Sequence, residues 1–249
     1  MKNNEIVALI IGRGNNTLKD KNILPVLGRP LLHWGALAAK SSKHISRYYI
    51  SSDCDKILEA AQELEFNLIK RPNELALPTS QSSDAVKHAY EIIKKESKVS
   101  VLVVIHANVG TISSKMIDEC IELLLKDNKL SSVIPSHVND EYHPYRSKKI
   151  NKEGQLINFF DFEKMKVSAN RQELDSCVFF DHSFWVLDAL KGIENSENGQ
   201  LPWRVMGSSI LPYITKGCFD VHSLDDLEKT EDWLLKNNIE EEYINKGLI

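Results

Sequence analysis

Residues 6–11 read IVALII, six consecutive apolar side chains, four of them β-branched. A run this short and this uniformly apolar fits a strand buried on both faces, near the middle of a parallel sheet. The chain then turns polar at once. Gly12, Arg13, Gly14, Asn15 and Asn16 form a turn-rich loop, Lys19 and Lys21 follow, and Leu31 opens a helix-like run. Small residues let backbone amides approach an anion, and the cations supply charge. The loop is therefore a candidate phosphate site at the carboxyl end of the strand, where open α/β sheets bind ligands. Its composition alone fits an ordinary βα loop with solvated basic residues equally well.

Two common phosphate motifs are missing. The third glycine of a dinucleotide fingerprint would fall at Thr17, and no GK[ST] follows to make a P-loop. A dinucleotide-dependent dehydrogenase and a P-loop kinase are thereby disfavoured.

Downstream, helix-like and strand-like runs alternate. Residues 31–39 predict a helix, 47–51 a strand, 55–64 a helix capped from Ser51-Ser52-Asp53, and 66–70 a short strand. Residues 84–95 predict a helix, 101–105 a second strongly apolar strand, 113–127 an amphipathic helix and 132–135 another strand. This rhythm implies right-handed crossovers and a parallel sheet. At 249 residues, the chain suits one large α/β domain or a core with a small appendage. Composition changes over residues 141–162, where Gly154 separates alternating segments, so an antiparallel excursion is expected there. A strand over 178–187 and a short strand over 218–223 precede a helix at 224–236. Residues two apart on a strand share a face, which pairs Asp220 with His222.

The 31 basic and 35 acidic residues leave a net charge of -4, which does not suggest a nucleic-acid binder. No stretch approaches the roughly 20 apolar residues of a membrane span, and the polar start MKNNE lacks a signal-peptide layout, so a cytoplasmic location is expected. Cys54, Cys120, Cys177 and Cys218 are scattered without a C-x-x-C pair, which argues against structural zinc and for reduced, packed thiols.

Several segments carry a family resemblance. GRGNN, LKDKN and LGRPLL, within residues 12–32, resemble the nucleotide loop of the CMP-sialate and CMP-Kdo synthetases, which runs A-R-x-G-S-K, K-N and G-x-P-L. Arg71-Pro72 with Leu75-Ala76, then the Ser/Thr-rich 79–84 and His88, resembles that family's RP-x-x-LA segment and following helix. Asn170-Arg171-Gln172-Glu173-Leu174 is similar to its R-Q-x-L-P. Departures occur where His106-Ala107-Asn108-Val109-Gly110-Thr111 replaces a segment such as LQPTSPLR, where the 178–187 text replaces N-G-A-I-Y, and where Asp220-x-His222 replaces D-x-D.

The resemblance implies a Rossmann-like three-layer α/β sandwich with a mostly parallel central sheet, GT-A-like. It also implies a single nucleotidyltransferase domain over residues 1–249, with an antiparallel dimerisation insertion at about 140–176. In the family such an insertion helps form a homodimer, giving Phe159, Phe160 and Phe162 a burial partner; covering their own subunit's core is the alternative. The implied activity is CMP transfer from CTP to an acidic acceptor, either a Kdo- or sialic-acid-like nonulosonate or a small phosphonate. Arg13 and Lys21 would be catalytic. Gly12, Gly14, Asn15, Lys19, Asn22, Arg71, Ser82 and Asn108 would hold the nucleotide. His106, His143, Lys148, Arg171 and Asp181 would hold the acceptor, and Asp220 and His222 would bind Mg2+. Asp226 either supports the metal through water or caps the last predicted helix. A sugar-1-phosphate nucleotidyltransferase using another NTP and a non-catalytic nucleotide-binding subunit are the competing readings.

Overall fold

In a computed structural model, which describes residues 4–162, 167–216 and 218–249, the first apolar run is strand β1 (Asn4–Ile11) inside an eight-stranded sheet. Both of its faces are covered. Ala8 and Ile10 point into one apolar layer, and Val7, Leu9 and Ile11 point into the other.

A two-residue ribbon, β2 (Pro25–Val26) with β3 (Arg29–Pro30), turns the chain into α1 (Leu31–Ser41). Residues 31–39 of α1 are all buried, because this helix is packed by α2 (Asp55–Gln62) and α4 (Ser114–Lys126) as well as by the sheet. Its Trp34 is fully buried and satisfies its indole N–H on the Val26 carbonyl at 3.1 Å. The predicted alternation holds through β4 (Arg47–Ser52), β5 (Asn67–Lys70), α3 (Ser82–Glu96) and β6 (Lys98–His106). β1 pairs in parallel with β4 and β6, and β4 in parallel with β5. Their carboxyl ends therefore lie along one edge.

The start of α2 differs from expectation. Cys54 is its N-cap and no side chain caps the helix; Asp53 instead accepts from the Gly14 amide at 3.0 Å. Ser113 does cap α4, accepting from the Met116 amide.

Beyond α4 come β7 (Ser132–Val138) and the antiparallel hairpin β8 (Lys148–Ile150) with β9 (Leu156–Asn158), in which Gly154 takes φ 79. Residues 163–166 of the expected insertion lie outside the described residues. Phe159 and Phe160 are exposed and cluster with Tyr145 and Phe162, so they do not cover the core.

The one strand expected over 178–187 is two, β10 (Val178–Phe180) and β11 (Phe184–Asp188), separated where His182 adopts φ 52. Both pair antiparallel with β7, and β11 is also antiparallel to β6. The sheet order is β10-β7-β11-β6-β1-β4-β5, with β12 (Ile210–Ile214) parallel to β7. Residues 218–223 form no strand; the Val221 amide donates to the Asn108 carbonyl at 2.9 Å, and Thr111 holds Cys218 and Phe219 through side-chain bonds. α5 (Leu224–Lys236) and α6 (Ile239–Asn245) complete the order. Among the described residues no helix is long and apolar enough to cross a membrane.

Candidate active site

A cleft of about 260 Å³ opens at the carboxyl edge of β1 and β6. One wall is the loop after β1, contributing Gly12, Arg13, Asn16, Lys21 and Asn22; facing it are residues 75–82, and His106, Asn108, Asp220 and His222 close one end.

The loop is fixed mostly by its own polar groups. Buried Asn22 and partly buried Asn16 both donate to the Arg13 carbonyl, at 3.0 and 2.7 Å. Gly12 donates to the Ser51 carbonyl, and a Cβ there would sit 2.7 Å from the Ala107 Cβ. The Gly14 amide is held by Asp53, and a Cβ there would sit 2.7 Å from the Cys54 Cβ. Smallness at both positions thus serves the close approach of neighbouring loops, and both amides are already bonded within the protein. Asn15 and Lys19 are exposed and lie outside the cleft lining; Asn16 occupies the place expected for Asn15.

Three cations line the cleft. Arg13 donates from Nη1 to the Leu77 carbonyl at 2.9 Å, tying the loop to the segment opposite. Lys21 donates from Nζ to the Val221 carbonyl at 3.1 Å. Burial lowers the Lys21 pKa, Asp220 pulls it back up, and Arg13 lowers it further. Arg71 is 5% exposed and locked on Ser51 through Nε at 3.1 Å and Nη2 at 2.6 Å. Burial pulls its pKa down to about 10 against the attraction of Asp53, which leaves it charged at neutral pH. Ser82 opens α3 at the cleft, and no side chain caps that end. The helix therefore offers its positive pole to an anion.

The opposite end is chemically different. His106 lies 4.8 Å edge-on from Trp185, and burial pushes its pKa down to about 4. His106 lines the cleft as expected, as a neutral imidazole that can offer a hydrogen bond but no charge. Asn108 donates to Asp220 Oδ2 at 3.4 Å, and His222 Nε2 lies 2.7 Å from the same oxygen.

The structure does not bring the remaining acceptor candidates to this cleft. Asp181 is turned inward, bonded to His137 Nδ1 at 2.6 Å and to Thr215. His143 is buried and accepts the Tyr145 amide on Nδ1, closing the turn at 144–146. Lys148 is exposed and donates to Asn158 across the hairpin, and Arg171 is exposed in a turn at 171–173. Asp226 caps α5: its carboxylate accepts from the Ser223 amide and hydroxyl and from the His222 amide. Lys229, with Ser223 and those amides, holds its pKa well below the usual carboxylate range. Leu77, Pro78 and Gln81, absent from the sequence-based set, also line the cleft. The turn-rich LPTSQSS text was the available signal.

Among the described residues no three His, Cys, Asp or Glu side chains gather as a metal cage. A magnesium ion needs only one or two protein carboxylates when phosphates and water supply the rest, and Asp220 in the cleft fits that requirement. His222 is a softer donor than such a cation prefers.

Residues 7–175 match the profile of a family described as cytidylyltransferase. The N-acylneuraminate cytidylyltransferase A of Danio rerio is 29% identical over 139 residues, which are 55% of this chain and 32% of that protein. The 3-deoxy-manno-octulosonate cytidylyltransferase of Bdellovibrio bacteriovorus is 26% identical over 134 residues, 53% of this chain and 51% of the relative. The matches thus span a third to a half of those relatives' lengths. Among solved structures, a CMP:2-keto-3-deoxy-manno-octonic acid synthetase complexed with CTP superposes with a TM-score of 0.68 at 13% identity, covering 94% of this chain and 99% of that one. At that identity the likeness is one of fold, and it agrees with the mostly parallel α/β sheet found here.

Proposed function

Because this chain belongs to the cytidylyltransferase family, whose profile covers residues 7–175, we propose that it transfers CMP from CTP to an oxygen of an acidic sugar and releases pyrophosphate. The observation that carries the reading is the gathering of Arg13, Lys21 and Arg71 in one cleft with Asp220. A triphosphate needs several cations, and these three stand beside the uncapped start of α3. The relative solved with CTP and the curated relatives named for CMP-sugar chemistry support the choice of nucleotide and acceptor class.

In this scheme an acceptor oxygen attacks the α-phosphorus in line, a new P–O bond forms, and the bond to the bridging oxygen breaks as pyrophosphate departs. Arg13 and Lys21 neutralise charge that builds on the bridging and departing oxygens. Arg71, held on Ser51 by two hydrogen bonds, adds a third cation for the triphosphate, and residues 75–82 form the facing wall for the ribose and base. Asp220 would hold a magnesium ion, which when bound supplies further charge neutralisation to the phosphates. We assign the hairpin insertion to a homodimer contact, a reading supported by its exposed apolar side chains.

The test is pyrophosphate release from purified protein with CTP, Mg2+ and a panel of acidic sugars, in competition with UTP, GTP and dTTP. CTP-selective release is expected. Preference for another nucleotide, or CTP binding without turnover across acceptors and metals, overturns the assignment.

A further inference from the structure

An aromatic ledge adjoining the cleft belongs to no motif singled out in the sequence. The His182 ring lies nearly parallel to that of the cleft-wall residue His106, with centroids 6.4 Å apart, and meets Trp203 at 4.7 Å. Phe180 joins both, 5.6 Å from Trp203 and 6.4 Å from His182. Phe180, His182 and Trp203 are each half-buried, so part of every ring remains open to solvent. Through His106 the ledge meets the end of the cleft that also holds Asn108, Asp220 and His222.

Trp203 anchors its loop only in part: with Phe180 it packs against the apolar layer that holds Val205 and Met206, and some of the residue stays exposed. Val205 and Met206 are fully buried and fix the segment to the core. Backbone bonds from Gln200 to Gly207 and from Met206 to Trp203 close it. The exposed part of Trp203 is available for contact outside the fold.

The electrostatics select what it contacts. Burial lowers the pKa of both His106 and His182, so neither imidazole supplies a cation here at neutral pH. Arg13, Lys21 and Arg71 belong to the nucleotide side. A compact dianion requires cations, whereas the C–H-rich face of a sugar ring gains from dispersion and apolar burial on an aromatic surface.

We propose that Trp203, backed by His182 and Phe180, is the platform on which the acceptor's ring packs, and that it selects a cyclic polyhydroxy acid over a small phosphonate. The inference rests on the cytidylyltransferase reading and names a specificity residue within it.

Calorimetric titration separates the two. CTP is titrated first into wild type, Trp203→Ala and Trp203→Phe; Kdo, N-acetylneuraminate and 2-aminoethylphosphonate are then each titrated into the CTP-loaded proteins. One of the sugar acids is expected to bind, with Trp203→Ala weakening it about tenfold, the scale of a lost aromatic contact. Trp203→Phe is expected to restore affinity to within about threefold, and all three proteins are expected to bind CTP alike, a pattern that a merely structural Trp203 does not give. Unchanged sugar affinity in Trp203→Ala, or binding of the phosphonate alone, overturns the platform while CTP binding stands. Failure of wild type to bind CTP overturns the cytidylyltransferase reading itself.

Discussion

Lys21 sits where burial and charge oppose each other: its surroundings disfavour an ammonium, and Asp220 favours one. In the unliganded chain its Nζ rests on the Val221 carbonyl, a neutral acceptor that a phosphate oxygen outcompetes. Lys21→Met is therefore expected to reduce kcat by about 10²–10³, the range for removing one preorganised donor to developing charge. Pyrophosphate release measures it, and a variant within threefold of wild type excludes Lys21 from the chemistry. His106 gives a second residue-scale expectation. Its pKa falls from 6.5 to about 4 on folding, so the unfolded chain binds more protons in that interval. The associated stability is complete above about pH 6.5 and declines as pH falls toward 4, with His182 shifted in the same direction. The urea midpoint should fall from pH 7 to 4.5, and less steeply in His106→Gln; equal slopes refute the linkage. Arg13 and Arg71 were legible in the sequence because they lie just past strand ends, whereas Lys21 and Asn22, in a turn ten residues beyond β1, were legible only through the resemblance of LKDKN to the family's K-N. Asn15 and Asn16 were exchanged because a loop has no period from which to read a one-residue offset. Asp181 looked available to a ligand, yet its partners His137 and Thr215 come from distant segments and hold it inward.

Among the elements, β1 and β6 could be read as apolar runs and α2 to α4 from their amphipathic periodicity, whereas the ribbon of β2 and β3 has too few residues to show a pattern. The break between β10 and β11 could not be read, because the backbone of His182 turns left-handed inside an otherwise strand-like apolar run. β12 is also faint in the sequence: it carries Pro212, and its residues are only partly buried or exposed, as at a sheet edge. The predicted strand at 218–223 alternates suitably but, among the described residues, finds one backbone tie to a neighbouring loop rather than a ladder. α5 was legible with its capping carboxylate, and it bears on the site because its N-terminal turn continues directly from Asp220 and His222. Asp226→Ala is expected to cost about 1 kcal/mol, the usual value of an N-terminal cap interaction. Because the folded carboxylate titrates well below its ordinary value near 3.8, this contribution is present above that pH and is lost as pH falls below it. Denaturant melts of wild type and Asp226→Ala at pH 7 and pH 2.5 check the point. A difference that persists undiminished in acid assigns the effect to packing instead.

At the scale of the whole molecule, one end of the sheet carries the cleft's cations while the hairpin insertion displays apolar side chains to solvent. Ile150 is 71% exposed and Leu156 72%, with Phe159 and Phe160 close by. Scattered exposed apolar residues are ordinary, but aliphatic and aromatic groups gathered on one projecting hairpin fit an interaction surface. A second copy of the chain is the occupant proposed, since a two-fold contact lets the same patch bury itself. A stable contact of this kind buries on the order of 1,000 Å² or more in total. Wild type should therefore sediment as a dimer at micromolar concentration. Ile150→Lys with Leu156→Lys, both on the exposed hairpin and away from the core, should convert it to a monomer without lowering its thermal midpoint below that of the dissociated wild type. CTP affinity in that monomer then decides the hairpin's reach. Unchanged affinity confines its role to assembly, and the nucleotide cleft is complete within one chain, as the positions of Arg13, Lys21 and Arg71 require. A wild-type protein that stays monomeric at high micromolar concentration refutes the dimer and leaves the hairpin's apolar face to another partner.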